Sequence, residues 1–312
     1  MTEATSEGQP ILCIGVTPNV NRMLRVPGFR VNEVNRVKNV VLTPSGKATN
    51  AARVLHRLGA AHQLITLVGG PTGDRFVRAA EEEGLSCLAV RCRGETRIVQ
   101  TLMDEAGGTA TEIVEEMEAP EPDEWEEFEA RIAEALPGAS VMAVCGKLPP
   151  ASAPEGYAGM AALARDRAVP WLIDSQGPPV FHVLRHGPLM VKMNEMELEW
   201  TVPGGRTTED RAAQLLDGGA RNVLITRGAS PVFWVSDVGI KQVHVPGLIP
   251  VNPIGSGDSM VGGITCMLQQ GKPLGDAIAY GVACGSANAL TERPGDVSAE
   301  EVARLLPEVR ID

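Results

Sequence analysis

The sequence lacks any long hydrophobic run, since no stretch approaches the roughly 18–20 apolar residues that a membrane-spanning helix needs. It also lacks low-complexity segments. Its first ten residues, MTEATSEGQP, are polar and acidic, which is typical of neither a signal peptide nor a transit peptide. With 312 residues, of which 44% are hydrophobic, the composition is that of a globular protein. We therefore expect a cytoplasmic protein with no membrane partner.

Metal-binding and disulfide patterns are missing as well. The six cysteines form no CxxC pair, and most lie in apolar runs such as ILCIGV, which predicts reduced, buried thiols. The five histidines show no metal-ligand spacing. The chain has fewer basic than acidic residues, with 28 Lys and Arg and 39 Asp and Glu. The resulting net charge of −11 argues against nucleic acid as a partner, so a phosphorylated ligand would need a local basic cluster.

Two common phosphate motifs are also absent. The segment SGKAT at 45–49 resembles the end of a Walker A motif, but Ala48 replaces the required Ser or Thr and Val41 replaces the leading Gly. The segment GSGDSM lacks the final Gly of the dinucleotide-binding fingerprint. The sequence therefore indicates neither a P-loop enzyme nor an evident NAD enzyme.

What the chain does contain is an alternation of apolar runs with amphipathic helical patterns. Continuous apolar strands separated by helices predict an α/β fold, with a mostly parallel sheet that has helices on both faces. We expect residues 11–312 to form a single domain, after a disordered or loosely held segment at 1–10. The predicted strands are 11–16, 63–68, 140–145, 169–174, 188–192 and 222–226, and the predicted helices include 47–59, 74–84 and 154–168.

Two regions, at about 23–42 and 95–117, interrupt this alternation. Each shows strand-like alternation with turns and has no helix between its strands. We expect them to pair as a small antiparallel sheet beside the main one. Because each adjoins a Gly-rich turn at a strand end, where ligands collect in α/β sheets, we interpret this sheet as a lid over a site.

The segment NPIGSGDSMVGG at 252–263 is the most informative stretch. Gly255, Ser256 and Gly257 precede apolar helix-like sequence, so unpaired backbone N–H groups should point outward at the positive end of a helix dipole. Such a turn is an anion site, and phosphate is the usual anion. The carboxylate of Asp258 would repel a phosphate, so an acid at this position indicates a role other than phosphate binding.

Taken together, the motifs resemble those of the ribokinase-like (PfkB) carbohydrate kinases, and among them the branch of 1-phosphofructokinase and tagatose-6-phosphate kinase types. The resemblance runs from about residue 11 to 305. It implies the ribokinase-like three-layer fold with a small β-sheet lid. The motifs that carry it are NEVNRV (32–37), SGKATNAARVLHRLG (45–59), GGPTGD (69–74), ETR (95–97), CGKLPP (145–150), KMNEMEL (192–198) and GSGDSM (255–260).

The resemblance implies a catalytic role for residues 255–258. Asp258 would act as the base for a sugar hydroxyl, while the amides of Gly255, Ser256 and Gly257 stabilise charge on the transferring phosphoryl group. From its place at a helix N-terminus we expect Asp258 to be strongly ionised and hence a weak base. This is tolerable, because the base in phosphoryl transfer mainly orients the nucleophile.

The segment KMNEMEL carries the implied metal and phosphate contacts. Asn194 and Glu197 lie three apart at a predicted helix start, where the family uses the pair around Mg²⁺ and phosphate, often through water. The same NxxE spacing is a common capping pattern, so the metal role rests on the family context. Lys192 approaches the same phosphates in this interpretation, and a solvated lysine at a strand end is the alternative.

A phosphorylated substrate needs cations at its far end, and three lie in matching segments. Lys47, Arg97 and Lys147 are expected to converge into a phosphate pocket. Gly46 and Asn50 belong to the SGKATN segment that resembles the family's sugar-binding GGKGxN. Asn21 stands where the family has an Asp that holds sugar hydroxyls, and Asn carries no charge. This departure leaves two interpretations open: a substrate with a different pattern of hydroxyl groups, or an enzyme with weakened activity.

The nucleotide contacts are implied by two further segments. TRGASP at 226–231 resembles a turn near the ATP phosphates, which places Thr226 and Gly228 there, although Pro231 stands where Gly is usual. VACGSANAL at 282–290 is similar to the helix that lines the adenine pocket. Cys284, Ser286 and Asn288 are the expected neighbours of the adenine, with close helix packing as the alternative.

The leading functional prediction is an ATP- and Mg²⁺-dependent kinase for a hydroxyl of a sugar phosphate, such as fructose 1-phosphate or a related hexose phosphate. Two alternatives remain open at this point. The same chemistry could act on an unphosphorylated sugar or another hydroxylated metabolite, or the protein could be a sugar-phosphate sensor that binds without catalysis. By family analogy, the lid strands predict a homodimer.

Overall fold

The computed structural model describes residues 8–312, which form fourteen β-strands and ten α-helices. Residues 1–7 of the predicted loose N-terminal segment lie outside the described residues. Gln9 and Pro10 are anchored, because their carbonyl oxygens accept hydrogen bonds from Gln269 and from the Ser140 amide. Among residues 8–312, no helix combines the length and the apolar character needed to cross a bilayer.

The strands, in chain order, are β1 (Ile11–Gly15), β2 (Asn19–Val26), β3 (Val40–Ser45), β4 (His62–Val68), β5 (Cys87–Arg91), β6 (Arg97–Asp104), β7 (Thr109–Val114), β8 (Val141–Cys145), β9 (Trp171–Asp174), β10 (Met190–Asn194), β11 (Asn222–Arg227), β12 (Ser230–Ser236), β13 (Gly239–His244) and β14 (Arg310–Ile311). The helices are α1 (Lys47–Arg57), α2 (Gly70–Glu82), α3 (Pro122–Ala135), α4 (Ala158–Asp166), α5 (Pro178–Leu184), α6 (Glu195–Thr201), α7 (Thr208–Asp217), α8 (Ser256–Gln269), α9 (Leu274–Ala289) and α10 (Ala299–Leu305).

Ten of the strands form the main sheet, in the order β14-β13-β12-β11-β10-β9-β8-β1-β4-β5. The seven from β11 to β5 are parallel, and β12 to β14 add an antiparallel edge. All six predicted strands belong to the parallel part, so the predicted α/β fold class is confirmed. The β12–β13 hairpin and the short edge strands β5 and β14 were not predicted.

Alternation along each strand explains the helical layers on the two faces of this sheet. In β1, Leu12 and Ile14 pack on the face covered by α3–α7, while Ile11 and Cys13 pack on the face covered by α1, α2, α8 and α9. All four side chains are fully buried. Helix α2 begins at Gly70, four residues before the predicted start, so Asp74 lies inside the helix and pairs with Arg91.

The remaining strands form a separate four-stranded sheet in the order β3-β2-β6-β7, which is the predicted lid. The two hairpins are antiparallel, but their central pair, β2 with β6, is parallel, with Asn19 opposite Arg97. The prediction of a purely antiparallel lid is therefore wrong. The reason is that β2 follows β1 and β6 follows β5. Because β1 and β5 are parallel, both lid strands leave the carboxyl ends of the main-sheet strands in the same direction.

Candidate active site

The turn from β3 into α1, the carboxyl ends of β10 and β11 and the start of α8 meet beneath the lid and enclose a cavity of about 410 Å³, here called the polar cavity. It is also lined by lid residues, including Asn21, Arg97 and Val99. Twelve of the residues singled out in the sequence lie on its wall: Asn21, Gly46, Lys47, Asn50, Arg97, Lys192, Asn194, Glu197, Thr226, Gly255, Gly257 and Asp258.

A second cavity, also of about 410 Å³, adjoins it and is here called the apolar cavity. Its wall combines Ser256, Gly228 and Ser286 with apolar side chains such as Val232 and Met260. The two cavities share Thr226, Pro253 and Gly257 as lining residues. The two cavities therefore meet at the start of α8. A chemical group could be transferred there from a ligand in one cavity to a ligand in the other.

The turn at 255–258, here called the anion turn, depends on glycine for its shape. Gly255 has φ 81°, in the left-handed region, and a Cβ there would lie 2.6 Å from the Cβ of Pro294. A Cβ on Gly257 would lie 2.6 Å from Nζ of Lys192. The Gly257 amide, in the first turn of the fourteen-residue helix α8, therefore lies where the cavities meet with an ammonium group beside it, as anion binding requires. The expected contribution of the Ser256 amide is not met, because it donates to the backbone oxygen of Pro253 at 3.2 Å.

Asp258 lies in the first turn of α8 and is only 8% exposed. Its Oδ2 accepts a hydrogen bond of 2.7 Å from Nδ2 of Asn50. The Oδ1 of Asn50 accepts hydrogen bonds from Ser45 and Arg53, which fixes the amide so that its NH₂ group faces the carboxylate. The buried Asp258 is thus held in one orientation on the wall of the polar cavity.

The protonation of Asp258 differs from the sequence-based expectation. Burial raises the pKa of Asp258 to about 6, and the nearby Asp174 adds to the rise, while Lys47, the Asn50 hydrogen bond and Lys192 partly oppose it. Asp258 is therefore a stronger base than predicted, and the expectation of a carboxylate held in its ionised form by a low pKa is wrong. The helix dipole favours ionisation, but removing the carboxylate from water outweighs it at this position.

Asp174, at the end of β9, is a site residue that the sequence analysis missed. It is fully buried, and its two oxygens accept hydrogen bonds of 2.6 Å from Nζ of Lys47 and Nζ of Lys192. Burial alone would raise its pKa, but the ammonium groups of Lys192 and Lys47 outweigh burial and lower the pKa to about 2. An acid ending the apolar strand 169–174 was the signal in the sequence that could have identified it.

Asn194 and Glu197 form a reciprocal capping box at the start of α6. The Asn194 side chain accepts from the Glu197 amide, and the Glu197 carboxylate accepts from the Asn194 amide, both at 2.8 Å. The other carboxylate oxygen of Glu197 accepts from Nζ of Lys47 at 2.9 Å. Both residues line the polar cavity, so the capping role and a role toward a ligand coexist in this pair.

The three predicted substrate cations do not all converge. Lys47 lines the polar cavity but is paired with Asp174 and Glu197. Lys147 is not among the residues that line the cavity, and its ammonium pairs with Glu116 at 2.6 Å. Arg97 lines the cavity and donates hydrogen bonds only to the backbone oxygens of Glu115 and Thr17, so its charge lacks a carboxylate partner at hydrogen-bond distance within residues 8–312.

The lid also places polar groups in the cavity that were not predicted. Glu112 on β7 lines it, and the buried Thr101 donates to Oδ1 of Asn21 at 3.1 Å and lies 3.4 Å from the Glu112 carboxylate. Burial raises the pKa of Glu112, against the Thr101 hydrogen bond and the charge of Arg97. A carboxylate thus stands near Asn21 although Asn21 itself carries no charge.

Two of the expected nucleotide neighbours lie behind the cavities instead of on their walls. Cys284 and Asn288, four residues apart on α9, share the helix face that packs on α8, with Cys284 against Gly263. Asn288 bonds to Ser259 and Ser256 and to the backbone of Ile254, so it positions the anion turn. Ser286, on the other face of α9, lines the apolar cavity, and its buried hydroxyl has no partner within the described chain.

Fold and site together define the class of this protein. A parallel α/β sheet, an anion turn between two adjoining cavities and a buried carboxylate next to that turn are the parts of a small-molecule kinase. The model of the pfkB family carbohydrate kinases matches residues 9–301, and the chain belongs to that family. The resemblance seen in the sequence motifs is thereby confirmed, and the protein is a carbohydrate kinase.

Individual relatives agree with this assignment. The chain is 26% identical to 1-phosphofructokinase of Bacillus subtilis over 96% of its own length and 99% of that protein. It is 30% identical to the ATP-dependent 6-phosphofructokinase isozyme 2 of Escherichia coli, over 90% of the chain and 93% of the relative. A crystal structure of phosphofructokinase-2 from Escherichia coli in complex with potassium superposes with a TM-score of 0.87 at 25% identity, covering 96% and 98% of the two chains.

Proposed function

We propose that this protein transfers the γ-phosphoryl group of ATP to a hydroxyl of a hexose phosphate, with fructose 1-phosphate or a close relative as the substrate. The observation that carries the proposal is the meeting of two cavities at Gly257, with Asp258 on the wall of only the polar one. The hexose phosphate would occupy the polar cavity and ATP the apolar one. The names of the relatives, which act on phosphorylated hexoses, support this substrate class.

Asp258 is the proposed general base. As the sugar hydroxyl oxygen forms its bond to the γ-phosphorus, the hydroxyl proton passes to the carboxylate and the bond to ADP breaks. A pKa of about 6 leaves the group mostly ionised at neutral pH while making it more basic than an ordinary aspartate. The hydrogen bond from Asn50 holds the accepting carboxylate in place.

The amide of Gly257, with Nζ of Lys192 beside it, would stabilise the charge on the transferring group. Asp174 holds Lys192 in that position through its 2.6 Å contact. Thr226 and Gly228 would lie near the ATP phosphates, since both line the apolar cavity. Ser286 replaces Cys284 and Asn288 as the proposed contact on α9, because Ser286 is the one of these three residues that lines the cavity.

Mg²⁺ is the proposed metal, and it would be held mainly by phosphates and water. Within the described residues, His, Cys, Asp and Glu nowhere gather in a group of three suited to holding a metal ion. Asn194 and Glu197 fit an outer role, because their side-chain oxygens already accept hydrogen bonds from the capping box and from Lys47. When bound, the ion would neutralise charge on the ATP phosphates.

The substrate phosphate is proposed to bind Arg97, which has the guanidinium fork that suits phosphate. Lys47 would also contact this phosphate while it stays paired with Asp174 and Glu197. Gly46, which has no side chain, would let the backbone approach the sugar. Lys147 is left out of this pocket, because it pairs with Glu116 away from the cavity wall. Asn21 and Asn50 remain the proposed contacts for sugar hydroxyls.

A second candidate, phosphorylation of an unphosphorylated sugar, is favoured by Glu112. Its carboxylate lines the same cavity as Arg97 and would repel a phosphate placed beside it. In that case Glu112 would accept hydrogen bonds from sugar hydroxyls, and Arg97 would be held by its attraction to acidic neighbours such as Glu116 and Glu112.

A substrate panel separates the two candidates. ADP release with MgATP would be measured for fructose 1-phosphate, fructose 6-phosphate, tagatose 6-phosphate, fructose, ribose and nucleosides. The proposal predicts turnover with a hexose phosphate, and an Arg97→Gln variant with a KM for that substrate at least about tenfold higher. Lys147→Gln is the matched control and should leave this KM nearly unchanged. Turnover only with uncharged sugars would overturn the phosphate pocket.

We also propose that residues 11–312 act as one kinase domain and that the chain forms a homodimer through the lid. Supporting the first point, β1 near the start and β14 near the end belong to the same sheet. Supporting the second, the lid exposes apolar side chains such as Val41, Leu42 and Ile113. Sedimentation should show a dimer that Ile113→Glu dissociates, whereas Val238→Glu, exposed on the β12–β13 turn, should leave the dimer intact.

A further inference from the structure

A third cavity, of about 340 Å³, lies at the amino ends of β9, β10 and β11, opposite the active site, and is here called the basal cavity. Its wall is formed by the end of α4, the start of β9 and the loops that lead into β10 and β11. Trp171 at the start of β9 lines it, whereas Asp174 at the other end of that short strand belongs to the active site. The basal cavity is thus separate from the site of phosphoryl transfer.

The centre of the basal cavity wall is His186, which is buried between two guanidinium groups. Nη1 of Arg165 lies 3.0 Å from its Nδ1, and Nε of Arg185 lies 3.2 Å from its Nε2. A guanidinium only donates hydrogen bonds, and a neutral imidazole has one accepting nitrogen. Burial, and then the charges of Arg165 and Arg185, lower the pKa of His186 and so favour the neutral ring. One of the two guanidinium groups therefore faces a ring N–H and lacks an acceptor there.

Other donors around the basal cavity are also unmatched. The Arg221 side chain lines the cavity and makes no ion pair or hydrogen bond with the described residues. The indole Nε1 of Trp171 is buried without a partner in the same part of the chain, and Trp171 is only 2% exposed. The one acid paired in the cluster is Asp166, which binds Arg165 at 2.7 Å.

The balance of charge and hydrogen bonding points to an anion. Arg165 and Arg221 on the wall and Arg185 next to His186, all three exposed, outnumber Asp166 and leave a local excess of two positive charges in a chain whose net charge is −11. The indole N–H of Trp171, which can only donate, lies buried beside these groups without an acceptor in the described chain. Phosphate oxygens only accept strong hydrogen bonds from such groups, and arginine binds them with two parallel N–H groups.

We propose that the basal cavity is a second binding site, for the phosphate group of a small phosphorylated metabolite. The phosphate would accept hydrogen bonds from Arg221 and from Arg165, next to the ring of Trp171 on the same wall. A volume of about 340 Å³ accommodates a ligand at the small end of the range for small-molecule sites. This site goes beyond the proposed kinase activity and does not depend on the identity of the kinase substrate.

The test follows the indole N–H resonance of Trp171 by ¹H–¹⁵N NMR in the full chain, assigned with a Trp171→Phe variant. Titration with inorganic phosphate, at constant ionic strength set with chloride, should move this resonance saturably. Arg221→Gln should weaken the fitted affinity at least about tenfold without changing the thermal unfolding temperature. Arg78→Gln, at an exposed arginine on α2, is the matched control and should leave the affinity unchanged.

Two further arms complete the experiment. An Arg97→Gln variant should retain the Trp171 response, because the basal site is independent of phosphate bound in the polar cavity. Repeating the titration with a hexose phosphate and with ADP identifies the source of the phosphate group as the ligand with the lowest Kd. Absence of a saturable Trp171 response to all three ligands, or a full response in Arg221→Gln, would overturn the proposal.

Discussion

Replacing Asp258 by Asn should make the protein more stable at neutral pH while removing its activity. The carboxylate is 8% exposed in the folded chain, and burial is the main reason that its pKa rises to about 6 from the ordinary 3.8. The folded state therefore binds this proton more tightly than the unfolded state does. Ionising the group weakens folding as the pH rises from about 4 to about 6, and the full cost is present above that range.

The size of this effect follows from the difference between the two pKa values. At about 1.4 kcal/mol per pKa unit, the difference between about 6 and 3.8 corresponds to about 3 kcal/mol. An asparagine carries no charge and can still accept the hydrogen bond from Asn50. We therefore expect Asp258→Asn to raise the free energy of unfolding by about 1–3 kcal/mol at pH 7, and by little at pH 4.

Urea unfolding of the wild type and the variant, from about pH 4 to about pH 8, measures this directly. Asp276→Asn is the matched control, because Asp276 lies in the first turn of α9 but is exposed. The control should not gain stability with rising pH. If Asp258→Asn were no more stable than the wild type at pH 7 to 8, the claim that burial raises the pKa of Asp258 would be refuted.

Three further predictions concern the groups around the anion turn. Asp174→Asn should lower the free energy of unfolding, measured with urea, by about 3–5 kcal/mol, because it leaves the buried ammonium of Lys192 without a carboxylate. In the wild type the Asp174 carboxylate has a pKa of about 2, so its contribution to stability should be lost as the pH falls from about 4 to about 2. Gly257→Ala should raise the KM for ATP, since its Cβ would displace Nζ of Lys192; an unchanged KM would show that the ammonium plays no part. Asn50→Leu removes a hydrogen bond that lowers the pKa of Asp258, so the acid limb of the kcat/KM profile should move to higher pH, and a limb that stays in place would contradict the assignment.

The parallel core of the sheet could be predicted because its strands are buried on both faces and read as continuous apolar runs. The β12–β13 hairpin was not predicted, although residues 231–235 of β12 form the continuous apolar run PVFWV; in β13 the exposed polar Lys241 and Gln242 interrupt the apolar residues. The parallel pairing of β2 with β6 was missed for a different reason. It depends on the direction in which each lid hairpin leaves the strands of the main sheet. The alternation of residues within a hairpin carries no information about that direction.

For the site, sequence motifs located the anion turn and its partners, but they did not predict which groups neutralise one another. Lys47 and Lys147 both match substrate-binding positions, yet each pairs with carboxylates that are distant in the sequence. The raised pKa of Asp258 likewise depends on burial by other segments. The misplacement of Cys284 and Asn288 was avoidable, because a four-residue spacing puts both on one face of α9, and so was the omission of Asp174, an acid at the end of an apolar strand.

The most direct test of the account is the turnover of MgATP with a hexose phosphate by the wild type and by Asp258→Asn, measured as ADP release at saturating substrate. The account predicts hexose-phosphate-dependent turnover in the wild type and a kcat about 10²–10⁴-fold lower in the variant, the usual contribution of a positioned base. Unchanged kcat in a folded Asp258→Asn protein would contradict the assignment of Asp258 as the base.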